Sequence, residues 1–233
     1  MQILKKTGNY LDQRAKLYGN ISTVLILVGI AGIFLSYTSN LGLLLPFVII
    51  LATGGFFFRQ YSNYSGGLEA ENSVTKSLSS LDDRYCLLND VKLRGDRGNI
   101  DHIVLGPNGV FVIETKNYSG KIICNGDEWI RQYEGGYDYD IGSPSKQVKR
   151  NAVKIKHIIE SSKIFKKPLN IWVEGIVVFT KPDVNLQIKN ATVSILKIDG
   201  IYDYIKNKNS RMIFSSGELD SIGKTILRQS EEG

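Results

Sequence analysis

The sequence predicts a mixed α/β domain, with a central sheet flanked by helices, that follows two membrane-spanning helices. Two observations predict this architecture. Near the amino terminus, two long apolar runs contain no charged residue. Behind them, runs with strand periodicity are interspersed with helical ones, as in mixed α/β domains. A chain of 233 residues, 42% hydrophobic and 22% charged, is long enough for one globular domain and such an anchor.

The two apolar runs cover about residues 21–37 and 41–58. Each is close to the shortest length that crosses a hydrocarbon core of about 30 Å. A cleaved signal peptide is an alternative for the first run, but no Ala-x-Ala-like site follows it. Residues 1–61 are therefore the predicted membrane anchor, a two-helix transmembrane hairpin, and residues 62–233 are the predicted soluble domain.

The flanking charges predict the orientation of this hairpin. Basic residues precede the first run and Arg59 follows the second, whereas the connecting turn has none. The positive-inside rule then predicts a multi-pass membrane protein with both termini and the soluble domain in the cytoplasm. The cysteines agree with this reducing compartment, because Cys86 and Cys124 are too few for a disulfide framework and lack zinc-ligand spacing.

A predicted β-hairpin around Pro107-Asn108-Gly109 has charges where a buried strand normally has none. If the proline and asparagine form a two-residue loop, Asp101 lies opposite Glu114. Lys116 then projects from the same strand face as Glu114. A three-residue loop, with the glycine in the left-handed conformation, would instead place Asp101 opposite Thr115.

Carboxylates at cross-strand distance repel each other unless a proton or a cation lies between them. Mg²⁺, or Mn²⁺ in its place, suits the position of Asp101 and Glu114, because Mg²⁺ prefers oxygen ligands and usually keeps several waters. The simpler alternative is that Asp101 begins an exposed strand and that Glu114 and Lys116 form a solvated pair.

Glu71 is a third acidic residue in an unusual position. It shares the apolar stripe of a helix predicted over residues 68–81, together with Val74 and Leu78, behind a polar linker at 62–67. A carboxylate on an apolar face needs a partner or a metal. Alternatively, Glu71 is a first-turn acid stabilised by the helix dipole.

The remaining elements complete the α/β pattern. The sequence predicts strands at 85–93, 121–124, 128–133, 171–179 and 192–198, and a closing helix at 216–227. Ser143-Pro144 starts another helix, whose first turn contains Gln147. This helix is rich in basic residues and is predicted to contact phosphates through Lys146, Lys149, Arg150, Lys154 and Lys156. It could instead be merely solvated, or face an anionic leaflet.

Several motifs occur in an order that resembles one known family: Gly67-Leu68-Glu69-Ala70-Glu71, Ile100-Asp101-His102, Gly109 through Asn117, Gly120, Trp129, and Ser-Pro-x-x-Gln from Ser143 to Gln147. Over roughly residues 65–180 the chain is similar to the nuclease-related domain (NERD) family of the PD-(D/E)xK restriction-endonuclease-like superfamily. The resemblance implies a restriction-endonuclease-like mixed sheet and nuclease chemistry. One position departs from the family, because Ser143 replaces the usual asparagine before the proline.

By this resemblance, Glu71, Asp101, Glu114 and Lys116 form the catalytic core, with Gln147 as an accessory residue. Asp101, Glu114 and Glu71 would hold the metal ion. The function expected is that of a membrane-tethered, Mg²⁺- or Mn²⁺-dependent nuclease acting on nucleic acid, with DNA favoured. Two alternatives stay open: a non-catalytic module that binds nucleic acid or protein at the membrane, and a scaffold in which the same charges form a structural ion network.

Overall fold

The computed structural model describes residues 1–8, 10–39, 42–133, 135–162, 164–165, 170–210 and 212–231. The helices are α1 (Tyr10–Ser39), α2 (Leu44–Leu78), α3 (Pro144–Ser161), α4 (Ile201–Lys206) and α5 (Ser216–Gln229). The strands are β1 (Gln2–Lys5), β2 (Cys86–Val91), β3 (Ile100–Gly106), β4 (Gly109–Lys116), β5 (Gly120–Asn125), β6 (Glu128–Gln132), β7 (Asp138–Asp140), β8 (Val173–Phe179), β9 (Val184–Lys189) and β10 (Ser194–Lys197). Contacts divide the chain into a unit of residues Asn9–Glu69 and a unit that joins Met1–Gly8 to Ala70–Gly233.

The Asn9–Glu69 unit contains α1 and most of α2, two helices long and apolar enough to cross a membrane. Small residues recur at intervals of seven along the buried side of α1: Ala15, Ser22, Gly29 and Ser36. A Cβ atom on Gly29 would lie only 2.9 Å from Cβ of Leu51, and Ser22 Oγ donates a hydrogen bond to the Gly54 carbonyl at 3.0 Å. The two helices thus pack backbone against backbone through small side chains, as in membrane helix pairs.

The polar segment at residues 62–67 is helical, so the predicted linker is wrong. The apolar part of α2 ends before Arg59, and the helix then continues without a break to Leu78. Glycine lowers helix propensity, but tertiary packing overrides it here. The ring of Tyr64 stacks on Tyr18 of α1 with 5.4 Å between ring centroids, which supports this stretch of α2.

The other unit contains a six-stranded mixed sheet in the order β1-β2-β3-β4-β8-β10. Strands β2, β3 and β4 form an antiparallel meander, whereas β1, β8 and β10 pair in parallel with their neighbours. The sequence indicated every one of these strands except β1, which precedes α1 and pairs with β2 across more than eighty residues. The predicted mixed α/β fold flanked by helices is confirmed.

Helices cover both faces of this sheet. The end of α2 and helix α4 bury side chains such as Val74, Leu78 and Ile205 on one face. Helices α3 and α5 pack on the opposite face, where Val112 and Ile103 point. A second, four-stranded sheet, in the order β7-β6-β5-β9, contributes buried side chains to the core on this same side, together with α3 and α5.

The amino terminus of α3 has the capping that the sequence predicts. Ser143 Oγ accepts a hydrogen bond from the Lys146 amide at 3.2 Å, and Pro144 occupies the first helical turn. Below the helix, Trp129 Nε1 donates to Ser145 Oγ at 3.0 Å, and Ser145 in turn donates to Asp127. These contacts fix the first turn of α3, and with it Gln147, over the sheet.

Candidate functional site

The β3–β4 pairing has the register of a two-residue loop. Gly106 pairs with Gly109, and the register continues to His102 opposite Ile113. The next pair in this register is Asp101 opposite Glu114. The two-residue prediction is therefore confirmed, and the alternative that pairs Asp101 with Thr115 is wrong. Asp101 contacts Thr115 in a different way, since Asp101 Oδ2 accepts a hydrogen bond from the Thr115 amide at 2.7 Å.

Glu114 and Lys116 project from β4 toward α3. Lys116 Nζ donates to Glu114 Oε1 at 2.6 Å and to Gln147 Oε1 at 3.4 Å. Gln147 reaches these groups from the first turn of α3. The structure thus brings Asp101, Glu114, Lys116 and Gln147 together at one end of the sheet.

Glu114 has one oxygen that no group of the described residues satisfies. The residue is 3% exposed, and its Oε1 atom binds Lys116. Its Oε2 atom is buried and has no hydrogen-bond partner among the described residues. A buried, unpaired carboxylate oxygen is unfavourable unless it meets a proton or a cation. A hard divalent cation fits this donor atom.

Burial raises the pKa of three acidic side chains, and the charge of neighbouring carboxylates adds to this effect for Asp101 and Glu71. Burial, followed by the charge of Glu114, holds the pKa of Asp101 well above its ordinary value, and burial also raises the pKa of Glu114. Burial, with contributions from Asp90 and Glu114, raises the pKa of Glu71 to about 7. Burial lowers the pKa of Lys116, but Glu114 outweighs this and raises it. The cluster therefore contains more carboxyl groups than its one ammonium could compensate if all of them were ionised.

Glu71 approaches the β3–β4 hairpin from α2, and it is near enough to Asp101 to raise the pKa of that carboxyl group. Within the part of the chain that the structure describes, no three Asp, Glu, His or Cys side chains are grouped so that they could hold a metal ion. A cation at Asp101 and Glu114 would thus complete its coordination with water or substrate oxygens, as Mg²⁺ usually does.

Asp90 is an acidic neighbour that the sequence analysis missed. The β2–β3 register puts Asp90 across from Asp101, so acidic residues stand in adjacent positions on β2, β3 and β4. Asp90 has a φ of 51°, a left-handed conformation that Asp tolerates better than most residues. Its Oδ1 atom accepts a hydrogen bond from Asn99 Nδ2. An Asn-Asp pair near the end of a strand was the available signal.

His102, beside Asp101, belongs to the core. It is completely buried, and its Nδ1 atom lies 2.8 Å from Asn89 Oδ1. Burial lowers the pKa of His102 to about 3, because the charged imidazolium loses its hydration. The ring therefore stays neutral and supports the sheet behind the carboxylates.

The basic residues of α3 lie on two flanks. On one flank Lys149 Nζ donates to both carboxylate oxygens of Asp127, at 2.8 and 2.7 Å, and Lys156 Nζ donates to Asn170 Oδ1 at 2.7 Å. On the flank that includes Gln147 lie Arg150 and Lys154. Lys146 is exposed in the first turn. The basic residues predicted to bind nucleic acid thus face different surroundings.

Comparison with known proteins places this site within a described family. Residues 66–180 match the model of the family described as nuclease-related domain (NERD). An uncharacterized protein of Bacillus anthracis is 47% identical over 60 residues, which are 24% of this chain and 28% of that protein. The chain thus spans less than a third of that relative. No solved structure matches the chain.

Proposed function

Residues 66–180 of the chain belong to the nuclease-related domain family, and on this premise we propose that the protein is a membrane-tethered, metal-dependent nuclease that hydrolyses nucleic acid, with DNA as the substrate. One observation supports the proposal above all. Buried Glu114 has an Oε2 atom without a hydrogen-bond partner among the described residues. The β3–β4 register places Glu114 opposite Asp101, and Lys116 forms an ion pair with its other oxygen. An acid pair with an adjacent ammonium is suited to phosphodiester hydrolysis.

In the proposed mechanism Asp101 and Glu114 would hold one or two Mg²⁺ or Mn²⁺ ions, and Glu71 would contribute directly or through water. When bound, such an ion would supply Lewis-acid chemistry, namely polarisation of a phosphoryl oxygen and a lower pKa for a bound water. The water oxygen forms a bond to phosphorus as one ester P–O bond breaks. The water loses a proton to solvent, and the leaving oxygen gains one.

Lys116 orients the attacking water or offsets the negative charge that develops on the phosphoryl oxygens in the transition state. Gln147 holds the ammonium of Lys116 from the side of α3, at 3.4 Å. Since Glu114 holds the same ammonium at 2.6 Å, its position over the strand is defined from two directions.

Metal titration and cleavage on the full chain in neutral detergent test this proposal. Wild type should bind Mg²⁺ or Mn²⁺ by calorimetry and cleave DNA when either is present. Asp101→Asn and Glu114→Gln each remove a ligand charge without changing side-chain shape, so both should lose metal binding and cleavage. Glu128→Gln, at an exposed position on β6, is the matched control and should behave as wild type.

If wild type binds no divalent ion, or Glu114→Gln cleaves as well as wild type, the enzyme proposal is wrong. DNA binding without cleavage would then favour the non-catalytic binding module. A domain that binds neither metal nor DNA would point to a structural ion network.

A further inference from the structure

A small polar pocket lies beside the carboxylate cluster. Its volume is about 280 Å³, and it is enclosed by the loop between β2 and β3 and by one flank of α3. The loop provides residues Gly95 to Asn99, and the helix provides Gln147, Arg150, Asn151 and Lys154. The loop reads as a simple polar turn in the sequence, so only the fold shows that it faces the basic helix.

The pocket has an excess of positive charge. Three of its residues are cationic, Arg97, Arg150 and Lys154, and Asp96 is its one acidic lining residue. Lys154 Nζ is bound by Asp96. Neither Arg97 nor Arg150 has a carboxylate within ion-pair distance among the described residues, and both are exposed. Two guanidinium groups are therefore available to an anion.

Two hydrogen bonds connect this pocket to the carboxylate cluster. Gln147, a lining residue, accepts the hydrogen bond from Lys116 Nζ. Asn99, on the other wall, donates to Asp90, which lies across the sheet from Asp101. An anion in the pocket would thus lie next to a group bound at Asp101 and Glu114.

We propose that this pocket binds a backbone phosphate of the nucleic acid, adjacent to the phosphodiester at the carboxylate cluster, through Arg97 and Arg150. The inference rests on the proposed function and adds a substrate subsite to it. A guanidinium presents N–H donors in a planar fork that matches phosphate oxygens. On the opposite flank of α3, Lys149 and Lys156 already donate to protein oxygens. Recognition of the strand is thereby concentrated on the Arg150 flank.

The salt dependence of binding tests the proposal. The full chain in neutral detergent is titrated with a fluorescent DNA duplex in EDTA, which prevents cleavage, and anisotropy is recorded over a range of salt concentrations. Each lost phosphate contact lowers the slope of log K against log [salt] by about 0.9. The double variant Arg97→Gln/Arg150→Gln should therefore reduce the slope by about 2, because both contacts are removed.

The matched control is Lys189→Gln/Lys197→Gln, which removes the same charge from two exposed residues outside the pocket. Its slope should stay close to that of wild type. Equal slopes in the two double variants, or a larger change in the control, would overturn the pocket proposal, because general electrostatic attraction or another surface would then explain binding.

A parallel cleavage assay in Mg²⁺ separates this proposal from the one on which it rests. If wild type cleaves DNA while the arginine variant keeps the wild-type slope, the subsite is wrong and the nuclease proposal stands. If wild type neither binds nor cleaves DNA, both are wrong.

Discussion

Lys116 is the residue at which metal binding and chemistry should separate. Its ammonium lies 2.6 Å from Glu114 Oε1, so replacing it with alanine leaves Asp101 and Glu114 in place and removes a competing positive charge. Lys116→Ala should therefore bind the divalent ion at least as tightly as wild type. Cleavage should fall on the order of 10²-fold or more, since the transition-state charge loses its partner.

Calorimetry with Mn²⁺ and a cleavage assay on the same preparation measure both effects. Lys189→Ala, at an exposed position on β9, is the control and should match wild type in each. Loss of metal binding in Lys116→Ala would show that the ammonium organises the ligands and has no separate role in the reaction.

For individual residues, the sequence predicted the cluster of Asp101, Glu114 and Lys116 because the signals that bring them together are local. A two-residue turn and strand alternation together determine that Asp101 faces Glu114 and that Lys116 projects alongside. Asp90 could not be found in this way. The Asn-Asp pair indicates a left-handed residue near the end of β2, but the place of Asp90 in the cluster depends on the pairing of β2 with β3, which no local pattern specifies.

Among the elements, β1 shows how a short segment completes the domain. Leu4 packs against the core on the α5 side, where a Cβ atom on Gly223 would lie 2.6 Å from Leu4 Cδ1. Lys5 Nζ donates to the Asp90 carbonyl at 2.7 Å, so this strand also supports the left-handed turn beside the site. A four-residue strand separated from its partner by two helices leaves no periodic signal in the sequence.

Leu4→Ala should destabilise the domain by about 1–2 kcal/mol, at or below the lower end of the range for fully buried leucines, because Leu4 is only partly buried. Ile3→Ala is the matched control on the other face of the same strand. Ile3 is 47% exposed, so this change should stay within about 0.5 kcal/mol.

Urea unfolding of the full chain in detergent, followed by the fluorescence of buried Trp129, measures both variants. Equal midpoints for Leu4→Ala and Ile3→Ala would mean that β1 adds little to the stability of the domain.

For the whole molecule, the order of units along the chain restricts how α1 and α2 can cross a membrane. Residues Met1–Gly8, before α1, and the residues from Ala70 onward, which follow the apolar part of α2, belong to one unit. Both ends of the helix pair must therefore lie on the same side of any membrane that it spans. The sequence predicted two spans from apolar length and orientation from flanking charge, and the shared domain gives an independent reason for an even number of crossings.

Two single-cysteine variants, one at the α1–α2 connection and one after the end of α2, test the topology. Ser39→Cys lies at the exposed end of α1, and Ser80→Cys lies in the turn after α2. On intact cells a membrane-impermeant maleimide should label Ser39→Cys, whereas Ser80→Cys should require permeabilisation. The native Cys86 and Cys124 are buried and give a low background. Labelling of both positions from the same side would show that the helices do not span the membrane.

The parallel pairing of β1 with β2 also has a consequence for biosynthesis. Parallel neighbours need a long connection, and here residues 6–85, with both apolar helices, form that connection. In the proposed topology, β1 leaves the ribosome well before β2 and has to stay unpaired until the two apolar helices have been delivered to the bilayer. A chain that inserted only one helix would leave β1 on the opposite side of the membrane from β2. The edge of β2 would then be open to pairing with other chains. In that topology, correct insertion of the helices and completion of the sheet would depend on each other.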